Sequence, residues 1–357
     1  MQTQKFSTWP ENGFLKWLPT ILMMIIPLGI MAMLVKISPD INKQSHGFNR
    51  NFITQEPTLL KKIPVGKLSK YIAGVTPTDV YFSSMKPGQI ERLELNTGNY
   101  SSIMVVTNPV LQKRLSASCQ AEINGPYVRL FDSPSGLMIT GNRLTHKMEV
   151  HQSPELFTRF VSISPEKVFL RKFVNGEKDQ SFYKYDLQTE QFYGKMKITD
   201  NKTDGGLSTD GELVFDHVNG TLAYVEHNSN RITLFDTSGQ VLKVSHSIDT
   251  FATNLFQTNK FGYQTDGIIT NNAPVQFVNQ SASFENGILY VQSGVRSDNQ
   301  NLIDFNEAVV IDRYDGKDGT YIGSFQLKGV KDGIRNWVVR DQKLYLLSNS
   351  RLSIYSL

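Results

Sequence analysis

A short strand-and-turn unit recurs along this chain, and it limits the fold more than any other feature. The stretch Leu222 to Val244 carries the clearest copy. Leu222-Ala223-Tyr224-Val225, Ile232-Thr233-Leu234-Phe235 and Val241-Leu242-Lys243-Val244 read as three strands in a row. His227-Asn228-Ser229-Asn230 turns the chain once, and Asp236-Thr237-Ser238-Gly239 turns it again. The second turn has a mechanism. A leading Asp accepts hydrogen bonds from backbone N–H groups two residues on, and a closing Gly supplies the positive φ that a type I turn with a bulge requires.

Variants of the unit appear at Leu93–Gly98, Leu130–Gly136, Tyr183–Thr189, Val309–Gly316 and Leu352–Tyr355. Marker residues at 96, 132, 186, 236, 312 and 355 are 36, 54, 50, 76 and 43 apart. That rhythm fits one four-stranded propeller blade plus its loops. Six copies predict an all-β, six-bladed β-propeller over residues 59–357. The gap of 76 predicts an insertion between blades four and five, within Phe261–Gln280. The chain ends on the third strand of the last copy, so an early strand must close the ring. Leu59 to Val65 is placed to supply it, and closure removes an edge that would otherwise invite aggregation. The competing fold is a pair of immunoglobulin-like sandwiches, which needs a break between two cores; no linker follows residue 58. Helical periodicity is weak, and its nearest candidates are Ser153–Phe160 and Thr250–Gln257.

Ahead of the repeats lies Leu18 to Val35, eighteen residues without a charge, bounded by Lys16 and Lys36. At about 1.5 Å per residue it spans roughly the hydrocarbon core of a bilayer. Pro27 and Gly29 are tolerated in such a span, and Trp17 sits where an interfacial aromatic belongs. Lys36-Ile37-Ser38-Pro39-Asp40 is a poor cleavage site, so the reading is an uncleaved signal anchor rather than a removed leader. Residues 1–17 are then a cytoplasmic tail, 18–36 one transmembrane helix, and 37–58 a polar linker. Basic residues flank both sides; the size of the C-terminal domain favours its translocation. The expected location is a single-pass inner membrane protein with its domain in the periplasm or outside.

The net charge is +4, and Lys5, Lys16 and Lys36 against Glu11 supply about half of it. The rest is near neutral, which argues against nucleic acid as a partner. One cysteine, Cys119, excludes an internal disulfide and any cysteine-based metal site. It reads as a small buried residue.

The repeat, behind an N-terminal anchor, resembles the six-bladed TolB-like and NHL-type β-propellers of bacterial envelopes. The resemblance covers roughly residues 60–357 and rests on rhythm, with no Trp-Asp or kelch signature. It implies a binding module outside the cytoplasm that uses the loop-built face of the ring, with a protein, peptide or glycan as partner. The alternative it implies is a channel-site enzyme of the lactonase or lyase kind. A redox accessory domain is weaker, because no cofactor ligands are apparent.

No motif assigns chemistry, so catalytic residues stay unassigned, and no resident metal or cofactor is expected. Asp200-Asn201-Lys202-Thr203-Asp204-Gly205 starts like a calcium loop, but Lys202 and Gly211 stand where oxygen ligands are needed. It reads as a solvated turn, and Asp315-Gly316-Lys317-Asp318-Gly319 as a hairpin loop. His46, His146, His151, His217, His227 and His246 form no metal-binding spacing and read as loop or turn residues.

Overall fold

A computed structural model describes residues 13–37, 45–145, 147–153, 155–252, 258–261, 268–271, 277–330 and 333–357. It divides into two units, Met1–Gln44 and Ser45–Leu357.

In the first unit a helix runs from Gly13 to Ile37, with Pro19 and Pro27 inside it. Its segment Pro19–Lys36 has a mean hydropathy of 1.9 and no buried residue. By length and composition it can cross a membrane or serve as a signal sequence. The helix begins five residues before the expected span; residues 1–12 lie outside those described.

The second unit is a six-bladed propeller, as the repeat requires. Each blade is a four-stranded antiparallel meander. Blade one comprises Ser69–Val75, Asp79–Ser84, Gln89–Glu94 and Tyr100–Met104. Blade two comprises Gln120–Asn124, Tyr127–Asp132, Leu137–Asn142 and Lys147–Gln152. Blade three comprises Phe157–Ser162, Lys167–Lys172, Ser181–Asp186 and Gln191–Met196. Blade four comprises Gly211–Asp216, Thr221–Glu226, Arg231–Asp236 and Val241–His246. Blade five comprises Asn279–Glu285, Ile288–Ser293, Ala308–Asp315 and Tyr321–Lys328. Blade six comprises Ile334–Arg340, Lys343–Ser348 and Arg351–Ser356, completed by Thr58–Pro64.

That last pairing closes the ring. Thr58–Pro64 lies antiparallel to Arg351–Ser356, with Thr58 opposite Ser356 and Ile63 opposite Leu352. Ile63 is buried with Val80, Phe82 and Leu352 in the core between blades six and one.

The burial pattern explains why one blade cannot stand alone. In blade four, Leu222 to Val225 and Ile232 to Phe235 are buried on both faces, while the outer strand Val241–Val244 is exposed. A middle strand apolar on both faces needs a neighbour on each side. Leu222, Tyr224 and Phe235 pack on blade three, and Ala223, Val225 and Leu234 pack on blade five.

Several details depart from expectation. In blade one the turn-forming acid is Glu94, not Asn96: the Gly98 N–H donates to the Glu94 carbonyl at 2.8 Å, and the Thr97 hydroxyl to its carboxylate at 2.6 Å. Asp132 closes the second strand of blade two rather than the third. The third ends at Asn142, whose Oδ1 accepts the Leu144 N–H at 2.9 Å. Asp312 lies buried inside a strand, and Asp315 forms the turn. Third strands thus end at 94, 142, 186, 236, 315 and 356, spaced 48, 44, 50, 79 and 41.

The long interval divides between two places. A hairpin, Thr258–Phe261 with Ile268–Asn271, lies between blades four and five and starts before the expected range. The connection 294–307 lies inside blade five and carries the helix Leu302–Glu307. Of the two helical candidates, Ser153–Phe160 runs into the strand Phe157–Ser162; Thr250–Gln257 is described only to residue 252, without a helix. The short helix Pro109–Arg114 appears instead, capped by Asn108 with Pro at its first position. Six residues are too few for a periodic signal.

The linker reading of 37–58 also needs correction. Residues 38–44 lie outside the described set, but from Ser45 the chain is fixed to blade five. The Asp298 carboxylate accepts the Ser45 hydroxyl at 2.8 Å, the His46 N–H at 2.6 Å and the Gly47 N–H at 2.9 Å. Phe48 is buried against Val278 and Val295. Arg50 is fully buried. Its guanidinium meets Asp312 at 2.8 and 3.1 Å, the Val295 carbonyl at 3.1 Å, Gln300 at 2.8 Å and the Ser293 hydroxyl at 2.6 Å. Asn51 and Ile53 then bond the backbone of Ser324. Arg50 makes buried hydrogen bonds, while Ser45, Gly47, Asn49 and Asn51 stay exposed on the blade.

Candidate functional site

The meander sorts the connections onto two faces. Turns from first to second and from third to fourth strand emerge on one face, the turn face. Links from second to third strand and from blade to blade emerge on the other, the loop face. Every third-to-fourth turn that counts the blades is on the turn face, where described connections within blades have five residues or fewer. The long connections 105–119, 197–210 and 294–307 are on the loop face, and the one between His246 and Asn279 leaves and re-enters there.

Exposed apolar side chains follow that division. Val110 (73% exposed), Leu156 (49%), Phe173 (44%), Phe277 (52%) and Ile303 (68%) stand on loop-face connections around blades one to three and blade five. On the turn face the comparable residues are Leu144 and Val218. The loop after blade three is held by a buried carboxylate. The sequence 200–206, read as a solvated turn, is wrapped around the buried carboxylate of Asp179. That group accepts the N–H of Lys202 at 2.6 Å, Thr203 at 2.7 Å, and Asp204 and Gly206 at 3.0 Å. Asp204 in turn accepts the N–H of Ser208 at 3.2 Å. The Asp315–Gly319 hairpin is as expected, with Gly319 at φ +73° as its only left-handed glycine.

The second place is the central channel, a cavity of about 280 Å³ lined by the innermost strand of each blade. Its charged and titratable side chains are Tyr71, Glu122, Glu212, His217 and Arg340. The Glu122 carboxylate takes the Ser162 hydroxyl at 2.7 Å and stands 3.6 Å from Arg129. Burial pushes Glu122 above the usual carboxylate range, against the pull of Arg129. Burial likewise raises Glu212, with Arg159 and His227 opposing. Arg340 pairs with Glu285 at 2.9 Å. Loss of solvent in the crowded channel mouth, then the charge of Arg340, push the partly open His217 ring down to about 4.

The histidines do not assemble. His151 lies in an outer strand between Thr140, at 3.2 Å, and Glu190, at 3.1 Å. His227 is buried in a loop and contacts the Asn279 carbonyl at 2.8 Å. His246 ends a strand rather than a loop, His46 and His217 are in connections as expected, and His146 is outside the described residues. Cys119 is buried, and burial raises its thiol to about 12. Among the described residues, no three His, Cys, Asp or Glu side chains gather as a metal site. The channel residues had no signal in the sequence, because they are scattered over blades one, two, four and six.

No protein-family model matches the chain, and no curated protein sequence matches it significantly. Solved structures do match in fold. A member of the duf4221 family from Bacteroides vulgatus aligns with a TM-score of 0.55 and 10% identity, over 84% of this chain and 97% of that one. Virginiamycin B lyase from Staphylococcus aureus gives 0.46 and 10%, over 86% and 97%. BamB from Moraxella catarrhalis gives 0.42 and 13%, over 88% and 95%. At these identities the likeness is one of fold.

Proposed function

We propose that this chain is a single-pass inner-membrane protein, anchored through Leu18–Val35, whose propeller binds a partner outside the cytoplasm through its loop face and performs no catalysis. The partner class is a protein, peptide or glycan. One observation carries the reading: the long connections and most of the strongly exposed apolar side chains on connections share one face. Exposed apolar side chains are what a partner surface can cover with gain, and a rigid ring lowers the ordering cost on binding. Propellers are commonly interaction modules, which agrees with this use.

Photo-crosslinking residues placed in living cells test it. Positions Val110, Phe277 and Ile303 should each give a discrete adduct, and Leu144 and Val218 should give none. Adducts confined to the turn-face positions would refute the assignment. Protease added to spheroplasts should digest the propeller; protection by an intact inner membrane would refute the topology.

A further inference from the structure

Charge is spread unevenly over the loop face. We infer that its sector over blades six and one is the docking surface for an acidic segment of a protein partner that also presents aliphatic side chains. This rests on the reading of the loop face as the binding face, and it selects a protein or peptide over a glycan.

Four connections meet in this sector: 349–350 of blade six, 65–68 between blades six and one, 85–88 of blade one, and 105–119 between blades one and two. Hydrogen bonds join them into one surface. The Val65 N–H donates to the Ser350 carbonyl at 3.0 Å and the Met85 N–H to the Leu68 carbonyl at 2.8 Å. The Val105 and Val106 N–H groups donate to the Gly88 carbonyl at 2.9 and 3.0 Å. The Lys70 ammonium donates to the Ala117 carbonyl at 2.7 Å. These connections and the strand starts beside them carry Lys67, Lys86, Lys113, Arg114, Arg335 and Arg351, and no acid; Lys331 and Asp332, before blade six, lie outside the described residues. Among the described residues none of the six cations meets a carboxylate. Arg114 donates to the Gln152 carboxamide at 2.9 Å, and Arg335 to the Asn349 carboxamide at 3.2 Å and to the Ser69 carbonyl. Glu91 of blade one is buried and taken up by Ser84, Gln89 and Ser102. By contrast, the connection 294–307 of blade five carries Asp298, Asp304 and Glu307 against Arg296. The sector over blades six and one therefore lacks counter-charge, and a polyanionic partner supplies it.

Shape and apolar surface narrow the occupant. A cavity of about 230 Å³ opens beside Arg351, lined by Lys62, Asn349 and the serines 348, 350 and 353. Two cations with hydroxyl and amide donors, and no acid, suit a carboxylate. At roughly 30 Å³ per small group, the cavity admits one acidic side chain with its backbone. On blade one, Met85, Met104 and Val110 are exposed, and the Gln112 carboxamide lies 3.6 Å from the Met104 sulfur. Flexible methionines adapt to aliphatic side chains of varied shape. The four connections contain no Phe, Tyr or Trp. They lack the aromatic faces on which sugar rings and bilayer interfaces rest, which favours a protein segment over a glycan or a lipid surface. Unpaired cations at the rim speed association and make it sensitive to salt.

The test uses the full chain in a neutral detergent, with a fluorescent peptide of Glu-Glu-Leu repeats as probe and anisotropy as readout. Peptides of Lys-Lys-Leu and Glu-Glu-Ser repeats of equal length are the comparisons. The Glu-Glu-Leu peptide should bind most tightly, and its affinity for the unaltered protein should fall as salt rises, a readout that needs no variant to fold. The double variant Lys113→Glu, Arg114→Glu should lose about tenfold or more in affinity, Met85→Ser should lose less, and Lys317→Glu on the turn face should bind like the parent. Equal binding of the Glu-Glu-Ser or Lys-Lys-Leu peptide, no salt dependence, or undiminished affinity in the folded double variant would each overturn the inference. In nanodiscs of phosphatidylcholine and phosphatidylglycerol, a fluorophore on Met85→Cys should escape quenching by headgroup-spin-labelled lipid; quenching would put the bilayer on this sector and overturn it. In cells, crosslinkers at Met85 and Met104 should give a protein adduct. Adducts at Phe277 and Ile303 with none at Met85 and Met104 would overturn this assignment alone and leave the loop face as the binding face.

Discussion

Replacing Arg50 by Ala should cost far more than a linker residue could. The guanidinium side chain is 0% exposed and its partner Asp312 is 3% exposed. Truncation removes both bonds to Asp312 together with those to Val295, Gln300 and Ser293. It leaves Asp312 buried with the Ser324 hydroxyl at 2.5 Å as its remaining side-chain partner. Breaking a buried pair by removing one member costs about 3–5 kcal/mol, because the other charge is left uncompensated. For a domain of this size that lowers the melting temperature by roughly 6–15 °C. Urea unfolding followed by circular dichroism measures the loss. The double variant Arg50→Met, Asp312→Leu should recover most of it, since an apolar pair of similar volume removes the stranded charge. A single variant within about 1 kcal/mol of the parent, with no coupling in the double variant, would show that residues 45–53 are a tether lying on blade five and not part of its core.

Other outcomes follow from single sites. Gly239→Ala should destabilise by about 1–3 kcal/mol in urea, because φ is +91° there and a Cβ would meet the Met196 thioether. The Cys119 thiol should resist iodoacetamide at pH 8 until the protein unfolds. Its folded value of about 12 lies above the ordinary 9.0, so its contribution to stability is full below pH 9 and is lost as pH rises toward 12. His217 is shifted the other way, from 6.5 to about 4, so its contribution is present above pH 6.5 and lost as pH falls toward 4. Melting curves at pH 7 and 4.5 should therefore fall less in His217→Gln than in the parent.

The blade count was legible because it rests on local chemistry. Asp186, Asp236 and Asp315 each close a third strand by accepting nearby backbone N–H groups. The same chemistry misled at Asp132, where an acid followed by Ser133 and Gly136 marks the second strand of its blade. Ring closure was legible from the missing fourth strand alone. Residues 45–53 were not, because a polar run looks solvated until its partners, here residues 293–324, are brought to it by the fold. The same limit hides the channel. Glu122, Glu212 and Arg340 are ordinary single residues in sequence, and only the radial arrangement of blades two, four and six turns them toward one cavity. Asp179 is similar: its four N–H donors lie more than twenty positions downstream.

The loop face is one continuous rim only if Thr58–Pro64 closes blade six. A disulfide between cysteines placed at Thr58 and Ser356 tests this most directly, since the two residues are register partners at the end of that ladder. Oxidised full-length protein should form the bond within one chain and gain thermal stability that reductant removes. Free thiols after oxidation, or bonds only between chains, would contradict closure of the ring by the N-terminal strand.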